Sequence, residues 1–276
     1  MSVPDTAVAP TTGQGPNASE QRERDRRSMS RNSQLLIAWC GPAMVVLFIL
    51  GSVWLARYFP PAIHPGDSAE QVARYYQDHA TPIRIGLVLS TMAYALMGVW
   101  GVCVATQTRR KEGMFPALTY VQLTCMAAGT AQIVVNCGLW ATAAFRAGDV
   151  SPEITQAFND AAYIILLGTW PPFTVWAVAL GLSLLLDKSD HPVYPRWTGY
   201  FSIWAGVGFI PGGTVWFFKE GPFGWTGVVC LWIPFVVFGI WVLYFSYLSM
   251  RNVKNGFVHE QDTAGAAPGR EPAGVS

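Results

Sequence analysis

Asp160 and Glu220 stand at the edges of long uncharged runs, and they are the carboxyl groups best placed to act as acids at a membrane surface. Partial burial at an interface raises a carboxyl pKa toward the range useful for proton transfer to a lipophilic, terpenoid or sterol-like substrate. A second group points to binding instead of catalysis. Gln122, Cys125, Gly129, Gln132 and Asn136 are spaced three or four residues apart, which puts them on one stripe of a helix. Such a stripe is costly against lipid, so it faces protein or a cavity. Tyr94 belongs to a matching stripe of Ser90, Gly98, Gly101 and Ala105, with Gln132 as an expected partner for its hydroxyl. The two readings of these stripes are interhelical hydrogen bonding with close helix approach, and a ligand-lined cavity.

Trp170, Trp204 and Trp232 lie deep in apolar runs, close in sequence to Pro171-Pro172, Pro211 and Pro234. Each proline withholds a backbone donor and bends its helix. Three kinked helices carrying these indoles would enclose an aromatic pocket suited to an apolar ring system; the alternative is a set of kinks that only fit a compact bundle. Trp39, Trp54, Trp140, Trp197, Trp216 and Trp225 fall near span ends, where indoles favour the interface.

Catalytic constellations are scarce. No His falls in an apolar run, and His64 and His79 share a polar loop with Asp67, Glu70 and Asp78, where solvation is the ordinary state. No Walker loop, G-x-S-x-G elbow or H-E-x-x-H segment occurs. Neither a metal nor a cofactor is expected. The cysteines, Cys40, Cys103, Cys125, Cys137 and Cys230, all lie in apolar runs and read as packing residues. A net charge of +1 excludes the concentrated basic face that a nucleic-acid partner requires.

The elements that position these residues are transmembrane helices. Only 13% of the residues are charged, and none falls in 35–56, 85–108, 113–145, 161–186, 197–218 or 221–250. Roughly 20 residues at a rise of about 1.5 Å cross about 30 Å of hydrocarbon. The expected fold is therefore all-α: a polytopic bundle of six transmembrane helices, about 35–57, 84–107, 116–146, 161–186, 197–218 and 225–249. Two short outer helices join it. Ser68 with Gln71 forms a capping box ahead of Val72, Tyr75 and Tyr76, and Ser151-Pro152-Glu153 opens a second such helix bearing Ile154 and Phe158. These helices either cover the mouth of the bundle or merely connect spans.

Three regions follow: a disordered basic cytoplasmic tail over 1–33, the six-helix domain over 34–250 and a second disordered tail over 251–276. Loop motifs add a resemblance. SAEQVARYYQDHATPIRIG, HPVYPRWTGYFSIW and PGGTVWFFKEGPFGW resemble an uncharacterised family of small six-helix bacterial integral membrane proteins with no assigned function. That resemblance implies architecture and a membrane address, and no reaction. The leading expectation is an integral inner-membrane protein that binds or helps move a small apolar molecule, or acts as membrane partner of another protein. An integral membrane enzyme is the alternative.

Orientation follows from the cations. Arg22, Arg24, Arg26, Arg27, Arg31, Arg109, Arg110, Lys111, Lys188, Arg196, Arg251, Lys254 and Arg270 share one side, against Arg57, Arg74, Arg84, Arg146 and Lys219. The positive-inside rule places both termini in the cytoplasm. Single-cysteine labelling of intact cells should reach a cysteine at Asp67 from outside and should not reach one at Gly113; external labelling at Gly113 would reverse the topology.

Overall fold

The computed structural model describes residues 18–109, 116–188 and 192–255. These residues form helices without a strand. Five stretches are long and apolar enough to cross a bilayer: Arg31–Leu55, Ala80–Arg109, Ala117–Arg146, Pro152–Leu186 and Gly221–Lys254. They mark the chain as an all-α, multi-pass membrane protein. The tail segments 1–17 and 256–276 lie outside the described residues.

Of the long apolar stretches, two run as unbroken helices: α3 (Ala80–Arg109) and α4 (Ala117–Arg146). The others change winding part-way. Helix α1 (Ala18–Phe48) continues as a π-helical turn over Ile49–Leu55, where the Ala56 amide bonds the Gly51 carbonyl at 2.8 Å. Helix α1 also reaches back to Ala18, inside the tail expected to be disordered, because its Glu, Gln and Arg residues favour helix.

The expected run 161–186 is α5 (Pro152–Gly168) followed by α6 (Pro171–Leu186). The second outer helix is thus the start of α5 and no separate element, since nothing between Glu153 and Gly168 stops it. Pro171 and Pro172 then stop it together. Neither can donate to the carbonyls of Leu167 and Gly168 four residues back.

The expected span 197–218 is not a single α-helix. Helix α7 (Trp197–Phe209) tightens to a 3-10 helix over Ile210–Trp216, because Pro211 offers no amide to Val207 and Gly212-Gly213 permit the tighter winding. A short 3-10 turn at Gly221–Phe223 and a π-helical turn at Val228–Trp232 lead into α8 (Ile233–Lys254). Pro234 sits at that last junction, where the Ile233 amide reaches back to Val228.

Helix α2 (Ala69–Asp78) opens as expected: the Ser68 amide donates to Gln71 Oε1 at 2.8 Å and the Gln71 amide donates to Ser68 Oγ. Its buried face, Val72 and Tyr76, packs on α5, where Tyr76 Oη donates to Asn159 Oδ1 at 3.0 Å.

Helix α3 packs against α1 and α4, α4 against α5 and α6, α6 against α7, and α8 returns to α1. The π turn crosses α3 with backbone against backbone. A Cβ on Gly86 would lie 2.5 Å from both the Ala56 nitrogen and the Gly51 oxygen, which are backbone atoms and cannot swing aside. Gly138, on the same bundle, has nothing within 4 Å of its would-be Cβ. Gly86→Ala should therefore lower thermal stability by about 1–3 kcal/mol through overpacking. Gly138→Ala should leave it equal or raise it by up to about 1 kcal/mol. Thermal unfolding of the two purified variants checks the contrast.

Candidate functional site: an apolar cavity at the helix breaks

The junctions in the interrupted helices meet at one place. Phe48 and Ile49 flank the change in α1, Leu167 and Trp170 the break between α5 and α6, Phe209 and Gly212 the change after α7, and Pro234 and Phe235 the start of α8. All eight line a single cavity of about 240 Å³. The unbroken helices contribute Tyr94 and Ile133. Interiors at native packing density leave few voids larger than a water molecule, so this cavity is not ordinary packing slack.

Its inner wall is formed by buried residues such as Met44, Tyr94, Ile133 and Phe209. The side between α1 and α8 is open: Ile49 is 43% exposed, and Val45, Pro234 and Gly239 are half-buried. Gly239 has nothing within 4 Å of its would-be Cβ, so the backbone of α8 borders open space there. The proline break brings Leu167 to this wall, and its carbonyl lies against Gly212 at a distance only glycine allows, 2.6 Å from a would-be Cβ.

The lining residues are apolar apart from Trp170, with its indole N–H, and Tyr94, with its hydroxyl. Tyr94 belongs to a continuous buried hydroxyl cluster: the Tyr94 and Tyr58 hydroxyls lie 3.1 Å apart, Tyr58 Oη and Ser52 Oγ 2.6 Å, Ser52 Oγ and Ser90 Oγ 3.0 Å, and Ser90 Oγ donates to the Gly86 carbonyl at 2.8 Å. Arg57, with φ 51°, reverses the chain after the π turn and returns Tyr58 to the bundle. Burial pushes the Tyr58 phenol above its usual range, so it stays protonated.

Beyond this cluster an aromatic column closes the end of the bundle that carries α2. Tyr58 stacks on Trp140 at 4.2 Å, Trp140 meets Tyr163 at 5.0 Å, and Tyr163 stacks on Trp225 at 5.2 Å. Trp140 and Trp225 are therefore buried, although their positions near span ends suggested interface anchors. Hydrogen bonds pin the column: Tyr163 Oη donates to the Tyr58 carbonyl at 3.0 Å and Trp225 Nε1 to the Ile63 carbonyl at 3.3 Å.

Of the residues singled out in the sequence, Tyr94 and Trp170 line the cavity. The others lie elsewhere. Trp204 is 60% exposed and Trp232 39% exposed, on the outer surface of the bundle. Gln132 bonds α4 to α5, its Nε2 donating to the Ile165 carbonyl at 3.2 Å, and Ile133 takes the cavity wall beside it. The partner of Tyr94 is Tyr58 and not Gln132. Asp160 accepts a hydrogen bond from Asn159 Nδ2 at 3.2 Å, and Glu220 is exposed beside Gly66. Neither carboxylate is among the cavity residues.

Asn136 is fully buried, one turn from Ile133 and one turn from Trp140, and neither of its amide atoms has a partner among the described residues. The stripe on α4 is rotated slightly from the one drawn on the sequence: Gln122, Met126, Gly129, Ile133, Asn136 and Trp140 are buried, whereas Cys125 and Gln132 are half-buried.

Sequence reasoning passed over the central tryptophans. Trp100, Trp176 and Trp241 are buried and mutually edge-on, with centroids 5.1 to 5.9 Å apart, and Trp241 Nε1 donates to Ser202 Oγ at 3.0 Å. Phe238, on the cavity wall, stacks on Trp241 at 6.0 Å, so this triad backs the site. Depth along a run could have flagged these indoles, but nothing in the run says which of them point inward.

Among the described residues no group of three or more His, Cys, Asp or Glu side chains could hold a metal ion. Comparison of the chain with protein-family models, curated proteins and solved structures finds no match, so the loop resemblance carries nothing further.

Two buried amides on α4 give opposite forecasts. Gln122 Nε2 donates to Thr108 Oγ1 at 3.3 Å and Ser183 Oγ at 3.2 Å, joining α3 and α6. Gln122→Leu should lower stability by about 0.6 kcal/mol, with about 1.7 as a ceiling. Asn136→Leu removes an unpaired amide, and its thermal unfolding midpoint should match or exceed that of the parent. A clear loss of stability in Asn136→Leu would show that the amide is satisfied.

Proposed function

We propose that the protein binds a small apolar molecule in the cavity at the helix breaks and exchanges it with the bilayer between α1 and α8. The observation that carries this reading is the convergence of four helix irregularities on one cavity of about 240 Å³, lined almost wholly by aliphatic and aromatic side chains. An apolar cavity of about 150 Å³ holds one benzene, so this one has room for more than a single ring. Interrupted helices meeting at depth are also the framework from which membrane transporters build their binding sites. Helix turns of altered winding are accordingly common at functional positions.

The reading assumes six crossings. Helix α7 has 13 residues and the 3-10 segment after it has seven. At about 1.5 and 2.0 Å per residue they extend together about 33 Å, enough for the hydrocarbon core of about 30 Å. With six crossings both termini share a side, and the cation distribution puts that side in the cytoplasm of an inner-membrane protein. In this arrangement α2 and the first turns of α5 cover the outer end. The lipid bilayer is then both the solvent of the protein and the source of its ligand. A catalytic role for Asp160 and Glu220 gains no support from the cavity, since neither is among its lining residues.

Gly239 offers a clean test, because it lines the cavity and a side chain there meets no other atom within 4 Å of its Cβ. Gly239→Leu should fold with a stability equal to the parent or up to about 1 kcal/mol higher, as glycine is a weak helix former. Mass spectrometry of lipophiles extracted from the purified proteins should find a compound in the parent that the variant lacks. Equal retention of every compound by both would refute the assignment.

A further inference from the structure

We infer that Phe59 gates the cavity: its ring clasps α1 to α8 beside the opening, and its displacement sets how fast the ligand exchanges with the bilayer. This names the regulation of the site proposed above and rests on that reading. The seam between α1 and α8 is closed in two places. At Gly41 the helices touch directly, since a Cβ there would collide with Ser246 Oγ of α8. Two turns further along α1, a third ring bridges them. Phe48 and Phe235 face each other with centroids 6.0 Å apart, and Phe59 lies 5.8 Å from the first and stacks on the second at 4.3 Å. Trp232 adds a contact to Phe59 at 5.4 Å. Between the two closures lie Val45 and Gly239, where the cavity opens.

The way Phe59 is held makes it the movable member of this clasp. It belongs to the loop between the π turn and α2, whereas Phe48 and Phe235 are fixed on helices. The loop around it is tethered: the Tyr58 carbonyl accepts from Tyr163 Oη at 3.0 Å and the Ile63 carbonyl from Trp225 Nε1 at 3.3 Å. The Phe59 ring has no polar atom and is half-buried, so ring contacts alone hold it in place. Rotation about its own side-chain bonds therefore withdraws the ring while the tethers stay made. Such rotations are intrinsically fast, and the ring contacts set the barrier. Each aromatic pair is worth about a two- to tenfold factor in that barrier.

Phe48 and Phe235 are lining residues of the cavity and Phe59 is not. A ring that bounds the opening without touching the bound ligand acts on the passage and not on the bound state. Its loss speeds entry and exit by the same factor, and the affinity, which is their ratio, stays as it was. A residue that merely supported the cavity wall would instead change the affinity.

Anthracene is a suitable probe, because it is a neutral hydrocarbon that accepts excitation energy from tryptophan, and Trp170 lines the cavity. Full-length protein in detergent is loaded with anthracene and mixed with an excess of empty micelles in stopped flow. The loss of tryptophan-sensitised emission gives the exit rate, and titration of the same signal gives the affinity. Gly239→Leu protein serves as the blank for micelle partition. Phe59→Ala should release anthracene about two- to tenfold faster than the parent with an unchanged Kd. Phe59→Tyr, which keeps the ring, should release it at the parental rate. Unfolding midpoints taken in parallel check the fold, and Phe59→Leu supplies the same comparison if the alanine variant fails to fold. An exit rate equal to that of the parent, or a faster exit matched by an equal loss of affinity, overturns the gate and leaves the cavity reading standing. A parental signal no larger than the blank overturns both.

Discussion

A helix in lipid must satisfy its backbone from within, and proline withholds the amide proton needed to do so. Pro171-Pro172, Pro211 and Pro234 each impose this shortage on a different helix. Lipid cannot make up for it, so the affected turns are drawn into the protein, where neighbouring backbone approaches and other windings become available. The break after Gly168 faces Gly212, the turn after Phe209 tightens to 3-10, and the approach to Pro234 widens to a π turn. The cavity is the space these solutions leave among themselves.

The ends of the bundle are built differently. At the end that carries α2, the aromatic column of Tyr58, Trp140, Tyr163 and Trp225 joins loops and helices far apart in the chain. At the other end, Tyr194 Oη donates to Gln107 Oε1 at 2.6 Å and lies 2.9 Å from Ser249 Oγ, tying the segment before α7 to α3 and α8. Close glycine crossings, Gly51 on Gly86 and Gly181 on Gly199, add contacts that tolerate no side chain. The ends are thus joined by hydrogen bonds and ring contacts, and the cavity lies between them at the interrupted turns.

Much of the architecture was legible because it depends on local properties. Freedom from charge over twenty or more residues marked the membrane helices, with the run 197–218 as the exception, and Ser68 with Gln71 specifies a helix start through bonds that span three residues. The proline kinks were legible for the same reason. What local reading misjudged was continuity. The α5 segment ran through the boundary expected at residue 161, and α1 began at Ala18, since ordinary helix formers do not announce where tertiary packing begins or ends a helix.

The sequence by itself determined that the chain is helical, crosses a membrane several times, and is interrupted at Pro171-Pro172, Pro211 and Pro234, because these follow from composition and from chemistry within a few residues. Only the tertiary structure decided which polar and aromatic groups meet. Tyr94 was assigned to Gln132 by depth alone, but it pairs with Tyr58, whose position depends on the left-handed turn at Arg57. Trp204 and Trp232 lie as deep along their runs as Trp100 and Trp241 do, and they face outward while the latter pair is buried. Depth is a property of one helix. Azimuth is set by the packing of all of them, and a residue rotated by one position on a helix turns about 100°, enough to exchange lipid for the interior.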